Sequence, residues 1–168
     1  MIQREVTIDM IAKADQLSEE MGNLNGSILN GRGNFIEMIG ELIVVEYFNT
    51  QHLPTYDYDL LFRDYKWDVK TKACTSEPKL TYDASVSNWN TKQECDIYVF
   101  TRVEKDRYVR DYLTGRAWIM GWLPKQEYFD KATFCKKGEV DPNGNGWVYK
   151  DDCYNLAYSE LNMNNKLI

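Results

Sequence analysis

The sequence has 168 residues, enough for one domain with a substantial core, and 12 Tyr, 6 Phe and 5 Trp supply aromatic side chains to fill it. A formal net charge of −6 argues against a protein that coats nucleic acid through bulk electrostatics, and the single histidine, His52, argues against Ser-His-Asp hydrolases, His-rich zinc sites and HNH-type nucleases. No apolar run is long enough to span a bilayer and the N-terminus lacks a signal-peptide core, so we expect a soluble, cytoplasmic protein without a membrane partner.

The N-terminal part of the chain predicts a helix followed by a connector. Thr7 or Asp9 is placed to cap a first helix that runs to about Met21, and Gly22 is a helix-stop residue. Turn-forming residues are frequent from 22 to 33, which predicts a flexible connector. No Walker-type Gly-Lys-Ser/Thr follows these glycines, so the sequence gives only weak support for a nucleotide site.

A second helix is predicted from about Phe35 to Phe48, with Asn34 as N-cap and Glu37 in the position of a capping box. Glu41 has no such capping role, and apolar residues occupy nearly every side of this helix. A buried carboxylate is costly unless it is paired or faces a cation. Glu41 therefore indicates a salt bridge, a solvent-filled gap or a metal site.

The next stretch predicts a β-hairpin that brings charged side chains together. Strands at 58–62 and 65–71 flank a tight turn. Side chains alternate faces along a strand, so Asp68 and Lys70 point the same way. Pairing of the two strands places Asp59 near Asp68. The hairpin therefore predicts a patch that combines two carboxylates and one lysine.

The C-terminal half predicts most of a mixed sheet. Residues 75–90 alternate only weakly, and no long helix is found there. Trp118, Trp122 and Tyr128 are predicted core residues, because aromatic side chains dominate core burial. The expected elements are strands at 95–103, 107–113 and 116–123, a short helix from Pro124 to about Lys131, and a closing strand or short helix at 154–161.

Two other patterns bear on metal binding. Oxygen-bearing side chains at positions one, three, five and twelve of the segment from Asp141 to Asp152, with Gly146 at position six, match the ligand spacing of an EF-hand calcium loop. No convincing helix precedes this segment, and its Asn, Gly and Pro content is also what a hairpin loop requires, so we favour a plain turn and keep calcium binding open. The cysteines are widely spaced without a Cys-x-x-Cys pair, which indicates reduced thiols rather than a zinc site: Cys74, Cys95, Cys135 and Cys153.

Three acids and a lysine are distributed over the predicted helix and hairpin. The set consists of Gly40-Glu41 within the apolar helix, Asp59 at the opening of the first strand, and Asp68-Val69-Lys70 on the second. This order of helix, strand and strand resembles the motif set of the PD-(D/E)XK nuclease superfamily. The match covers about Phe35 to Lys72, and its specificity comes from the combination, since an Asp-x-Lys sequence alone is common.

One position departs from the superfamily pattern. Tyr58 stands where the superfamily has a proline before its first aspartate, which leaves Asp57 as an alternative to Asp59. We prefer Asp59, because Leu60 and Leu61 continue the strand from it.

The resemblance implies a restriction-endonuclease-like α/β (α+β) domain over residues 1–168, with a mixed central β-sheet flanked by helices. It implies a nuclease that hydrolyses phosphodiester bonds, expected to be those of DNA, with Mg²⁺ or Mn²⁺ as cofactor. It also implies a role in nucleic-acid processing, repair or recombination, phage-encoded enzymes included. Many members act as dimers, so a homodimer stays open.

The same resemblance assigns roles to four side chains and one carbonyl. Asp59 and Asp68, with the Val69 carbonyl, would bind one or two metal ions, and Glu41 would complete the shell directly or through water. Lys70 would position the attacking water or help to deprotonate it, while the metal lowers the pKa of that water. The four side chains are the expected catalytic residues.

Other classes of function stay open. One alternative is a catalytically inactive nuclease-like module that binds nucleic acid or protein, and another is a calcium-stabilised structural protein that uses the loop after Asp141. The complete set of acids and lysine favours the enzyme. Among the basic residues of the motif region, Lys72 shares the face of Asp68 and Lys70, so we expect it nearest to a backbone phosphate.

Overall fold

The computed structural model describes residues 1–25, 35–53, 55–106, 108, 113–142 and 146–163, with residues 21–25 described by their backbone alone. Within these residues the helices are α1 (Ile8–Asn25), α2 (Phe35–Phe48) and α3 (Lys125–Lys131), and 3-10 segments lie at Asn88–Lys92 and Tyr158–Glu160. The strands are β1 (Ile2–Glu5), β2 (Leu60–Phe62), β3 (Tyr65–Cys74), β4 (Asp83–Ser87), β5 (Ile97–Lys105), β6 (Leu113–Pro124), β7 (Thr133–Cys135) and β8 (Cys153–Ala157). None of these helices is long and apolar enough to cross a membrane.

Two sheets make up the β part of the described chain. The larger one has five strands in the order β1-β6-β5-β3-β2 and is mixed, because β3 and β5 run parallel while the other neighbours are antiparallel. The smaller one has three antiparallel strands in the order β4-β8-β7. The expected α+β fold with a mixed central sheet is therefore confirmed, and a second sheet accompanies it.

The five-stranded sheet separates two hydrophobic cores. Its central strand β5 is apolar on both faces, as is typical of a strand covered on both sides. On one face Val99 joins Trp67 in a cluster with residues of α1 and α2. On the other face Tyr98 and Phe100 pack with Tyr128 of α3 and with residues of the smaller sheet. The sheet thus lies between the two cores, and one core packs on each of its faces.

Gly40 lets α2 lie directly on the sheet. A Cβ atom at this position would be 2.0 Å from the Thr71 Oγ1 atom of β3 and 2.6 Å from the Thr101 Oγ1 atom of β5. These two hydroxyls hydrogen-bond to each other across 2.8 Å, so neither is free to move aside without losing its partner. Only glycine permits this approach, which places the next residue, Glu41, close above β3.

The N-terminal prediction is correct in type and wrong in length. The Met10 N–H donates to Thr7 Oγ1 across 3.2 Å, so Thr7 rather than Asp9 caps α1. The helix continues to Asn25 instead of ending at about Met21, because glycine in a helix costs only about 1 kcal/mol and the flanking residues outweigh it at position 22. The second helix is confirmed as Phe35–Phe48. The rest of the predicted connector and the Asn34 cap lie outside the described residues.

The C-terminal elements largely agree with the predictions. Trp118, Trp122 and Tyr128 are at most 1% exposed, which confirms them as core residues. Most of the strand predicted at 107–113 lies outside the described residues. The strands expected at 95–103 and 116–123 are β5 and β6 with shifted limits, the short helix is α3, the weak segment 75–90 contains β4, and the closing segment contains β8 and a 3-10 turn.

Candidate active site

The hairpin of β2 and β3 forms as predicted and fixes the position of Asp59. Its two strands are antiparallel, and Arg63 and Asp64 make the turn with φ values of 52° and 65°, the left-handed conformation of a two-residue hairpin turn. The Asp59 N–H donates to the carbonyl of Trp67 across 2.9 Å. Asp59 therefore lies opposite Asp68, one residue before β2 begins.

Asp59 faces the site, and Asp57 does not. Asp59 is 8% exposed, and its Oδ2 atom accepts a 2.6 Å hydrogen bond from the N–H of Val69, between Asp68 and Lys70. The Asp57 Oδ1 atom instead accepts a 3.0 Å hydrogen bond from the N–H of Glu94. The geometry thus favours Asp59 over the alternative that the sequence left open.

Asp68 lies at the centre of the site and is 3% exposed. Its Oδ2 atom is 2.6 Å from Lys70 Nζ, and its Oδ1 atom accepts a 3.3 Å hydrogen bond from Gln93 Nε2. Gln93 Oε1 in turn accepts from Lys70 Nζ across 2.9 Å, which closes a triangle of contacts. Apart from the ion pair with Lys70, Asp68 Oδ2 has no hydrogen-bond partner in the described part of the chain, so this buried oxygen keeps a lone pair for a further ligand.

Glu41 reaches the site from α2 and contacts the only histidine. It is 6% exposed, and its Oε2 atom is 2.6 Å from His52 Nε2. Burial raises the pKa of Glu41 to about 8, and burial lowers the pKa of His52. Both shifts favour the uncharged forms, so we interpret this contact as a hydrogen bond with one shared proton rather than as an ion pair.

The three carboxylates of Glu41, Asp59 and Asp68 hold an excess of negative charge. Burial is the largest cause of a raised pKa in each of them, and the charge of Asp68 further raises the pKa of both Glu41 and Asp59. Lys70 lowers the pKa of all three, yet it is one cation facing three buried acids. The imbalance has to be relieved by bound protons or by a bound cation.

The donor atoms of this site fit a hard divalent cation, which prefers carboxylate and carbonyl oxygens. No group of three or more Asp, Glu, His or Cys side chains in the described ranges is arranged to hold a metal ion by itself. Glu41 is turned towards His52 instead. Mg²⁺ requires less, because it usually keeps several waters and binds through one or two carboxylates together with substrate phosphates. Asp59 and Asp68 supply such a pair.

The acids open into a cleft of about 930 Å³. The five-stranded sheet forms its floor, where Asp68, Lys70 and Lys72 follow one another along a single face of β3. The opposite wall includes Ser85 of β4 and Asn155 of β8, both from the smaller sheet. The volume is at the upper end of the range for small-ligand sites, so the cleft can hold a ligand of several rings or phosphates.

Sequence reasoning did not predict His52 and Gln93 as part of this site. His52 lies between α2 and β2, where it forms an isolated bridge with Leu60. Gln93 follows a 3-10 segment and is fixed by a 2.7 Å hydrogen bond from its Nε2 atom to the carbonyl of Tyr56. No local pattern marks either residue: His52 lies in a connection between a helix and a strand, and Gln93 is held by a residue 37 positions away. The one usable signal is that His52 is the sole histidine.

The structure describes the surroundings of the two other candidate metal sites, the loop that begins at Asp141 and the four cysteines. Val140 bridges to Val148, and the Asp141 N–H donates to the Trp147 carbonyl across 2.8 Å, which is the geometry of a closed hairpin loop. Strand β8 rather than a helix follows this loop, whose residues 143–145 lie outside the described residues. The plain turn that we favoured accounts for these contacts. The four cysteines are free thiols, as expected.

No protein-family model matches the sequence, and no curated protein matches it.

Proposed function

We propose that the protein is a metal-dependent nuclease that hydrolyses phosphodiester bonds, with DNA as the expected substrate, and that its domain belongs to the PD-(D/E)XK class. The observation that supports this most directly is the convergence of Glu41, Asp59, Asp68 and Lys70 at the head of a cleft. Three buried acids and one lysine are the set that the motif resemblance requires, and α2, β2 and β3 present them in the required order.

Asp59 and Asp68, with the Val69 carbonyl, would hold Mg²⁺ or Mn²⁺. The ion would lower the pKa of water and stabilise the negative charge that develops on the phosphate. One oxygen of Asp68 has no partner other than Lys70. A bound cation would favour the charged form of both aspartates and so lower the raised pKa of each.

The chain's own residues supply the rest of the chemistry. Lys70 Nζ, held as a cation by Asp68 and Gln93, would orient the attacking water; it would help to deprotonate that water only after losing its own proton. Glu41 would complete the shell of the metal directly or through water. His52 fixes the orientation of the Glu41 carboxylate, so it is a positioning residue.

A nuclease assay tests this proposal. Linear, circular, single-stranded and branched DNA is incubated with wild type, Asp68→Asn and Asp64→Asn in Mg²⁺, Mn²⁺ or EDTA. Asp64 is an exposed turn residue of the same hairpin, and asparagine is well tolerated in its left-handed conformation, so Asp64→Asn is the matched control. We expect metal-dependent cleavage by wild type and by Asp64→Asn, and a loss of at least about 100-fold in Asp68→Asn. Cleavage that survives in Asp68→Asn would contradict the assignment.

One observation favours a second candidate, an inactive nuclease-like module that binds nucleic acid or protein. Glu41, Asp59 and Asp68 each have a protein partner, in His52, the Val69 N–H and Lys70. With protons bound to the acids in place of a cation, such a site would be stable without a metal. Tight DNA binding that no divalent cation changes, together with no cleavage of any substrate, would establish this alternative.

A further inference from the structure

Two cations lie side by side in the cleft, beyond the acids. Lys72 on β3 and Arg102 on β5 are direct partners in the parallel register of these strands, so their side chains share one face of the sheet. By the same alternation, this is the face of Asp68 and Lys70, and both cations line the cleft. Like charges in directly paired strand positions repel, so an anion placed between them would be stabilising.

Neutral groups hold both cations in place. Lys72 Nζ donates to Ser85 Oγ across 2.5 Å, and Arg102 Nε donates to Tyr158 Oη across 2.7 Å. A further Arg102 nitrogen donates to the carbonyl of Ala73 across 3.3 Å. Neither cation forms an ion pair with a carboxylate in the described part of the chain, although a carboxylate is the usual partner of a buried lysine or arginine.

The charges of the two cations remain available to a ligand. The Lys72 side chain reaches solvent through the cleft, while the protein around its ammonium group and the nearby Arg102 lower its pKa to about 8. The amine is still mostly protonated at pH 7. Asp83 at the start of β4 is the acid that interacts with both cations, and its single charge offsets only part of theirs. Lys70 and Lys150 are the other cations among the residues that line the cleft.

The dimensions decide which anion fits. A rise of about 3.3 Å per residue puts Lys72 about 13 Å along β3 from Asp68. That distance is about four nucleotides at the 3.4 Å rise of one strand of a duplex, and fewer in an extended strand. A cleft of about 930 Å³ has the volume of a small-ligand site, which suits a few nucleotides of one strand better than a duplex.

We propose that Lys72, Arg102 and Ser85 form a phosphate-binding subsite for a single strand of nucleic acid. The strand enters along β3, with one backbone phosphate at this subsite and the cleaved bond at the acid site. The position of the cleaved bond rests on the proposed nuclease function. The subsite itself does not, because it would bind a strand even in a protein that cleaves nothing.

Binding of a short fluorescent oligothymidylate, followed by anisotropy in Ca²⁺ over a range of salt concentrations, tests the subsite. We expect Lys72→Gln to weaken binding about tenfold, the effect of one charge-assisted contact. The slope of log Kd against log salt should fall by about 0.7, the value for one phosphate contact on a single strand. Lys72→Arg should retain both. Lys79→Gln, which removes an exposed cation outside the cleft, is the matched control and should behave as wild type.

The outcomes separate this proposal from the nuclease proposal. Cleavage that depends on Asp68, with affinity and salt slope equal in Lys72→Gln and Lys79→Gln, would overturn the subsite and leave the nuclease intact. Lys72-dependent binding without cleavage would support the subsite and not the nuclease. Inorganic phosphate and a blunt duplex are the competing probes. Lys72-dependent binding of inorganic phosphate without binding of the oligonucleotide would overturn the assignment to a single strand. Binding of the duplex as tight as that of the single strand would overturn it as well.

Discussion

Each end of the cleft groups charges of one sign, negative at one end and positive at the other. The acid end consists of Glu41, Asp59 and Asp68, and the basic end consists of Lys72 and Arg102. Neither arrangement is favourable in the protein alone, because burial and like-charge repulsion both oppose it. A cation at the acid end and a phosphate at the basic end would each relieve this cost. The difference in sign is what the proposed metal and the proposed strand would each compensate.

The two ends are also built from different parts of the chain. The acid end comes from α2 and the β2–β3 hairpin, which lie within residues 35–74, and its carboxylates are buried. The basic end depends on Ser85 of β4 and on Tyr158, at the far end of the chain. We therefore expect changes at the acid end to affect stability and turnover, and changes at the basic end to affect binding.

Gly40→Ala is expected to have the largest effect on stability, because the added Cβ would meet both threonine hydroxyls beneath α2. Overpacking of this kind lowers the free energy of unfolding by about 1–3 kcal/mol. It also moves Glu41 away from Asp59 and Asp68, so the rate of cleavage should fall further than the loss of stability explains. Chemical denaturation and the nuclease assay measure the two effects.

The double variant Gly40→Ala/Thr71→Ala is the control, since it removes the hydroxyl and methyl group nearest to the new Cβ. It should recover part of the lost stability, which a double-mutant cycle would report as a favourable coupling. Wild-type stability and activity in Gly40→Ala alone would show that α2 can shift without consequence, and that its close approach to the sheet does not fix the position of Glu41.

The acid end should make the metal-free protein less stable as the pH rises from about 4.5 to about 8. Over this range folded Glu41 keeps a proton that the unfolded chain releases, so the folded state binds more protons and stability falls with pH. The slope is at most about 1.4 kcal/mol per pH unit for each such group. His52, whose pKa is lowered, contributes the opposite sign below 6.5. Thermal denaturation of wild type and Glu41→Gln in EDTA measures the difference, which Glu41→Gln should flatten.

Mg²⁺ sharpens this comparison. It should raise the Tm of wild type more at pH 8 than at pH 5, because the pKa of its ligand Asp59 is raised to about 8 and the carboxyl group therefore holds a proton at pH 5. An equal Mg²⁺ effect at both pH values would mean that the raised pKa values do not belong to the metal ligands.

A lysine with a lowered pKa has the opposite linkage. Lys72 should therefore lower the stability of the folded state at pH values below about 8, and this loss should disappear as the pH rises towards 10.5.

The acid end could be predicted from the sequence because its information is local. The apolar pattern of α2, the turn at Arg63 and Asp64 and the alternation along β3 fix where Glu41, Asp59 and Asp68 lie relative to the backbone. Lys70, the partner of Asp68, could be predicted in the same way, whereas Gln93 could not, because it comes from a segment 25 residues away from Asp68.

The wall of the cleft shows the same limit. Strand β4 lies in a stretch with only weak alternation, and its partner β8 is more than 60 residues away. A strand whose pairing is that distant leaves little local pattern, because cross-strand packing rather than intrinsic preference stabilises it. Lys72 could be placed on the correct face by parity, but neither Arg102 nor Ser85 could be predicted beside it.

Ser85→Ala should have the smallest effect and tests whether the two ends act separately. It removes the acceptor that orients Lys72 Nζ but leaves the charge in place. The charge of Lys72 stays and only the orientation of its ammonium group is lost, so we expect KM for a single-stranded substrate to rise about threefold, less than on removal of the charge, while kcat is unchanged. Loss of a contact made equally in the ground and transition states has this signature. Ser76→Ala, an exposed serine outside the cleft, is the control. A fall in kcat with unchanged KM would show instead that Ser85 acts on the reacting phosphate, and the two ends would form one catalytic site.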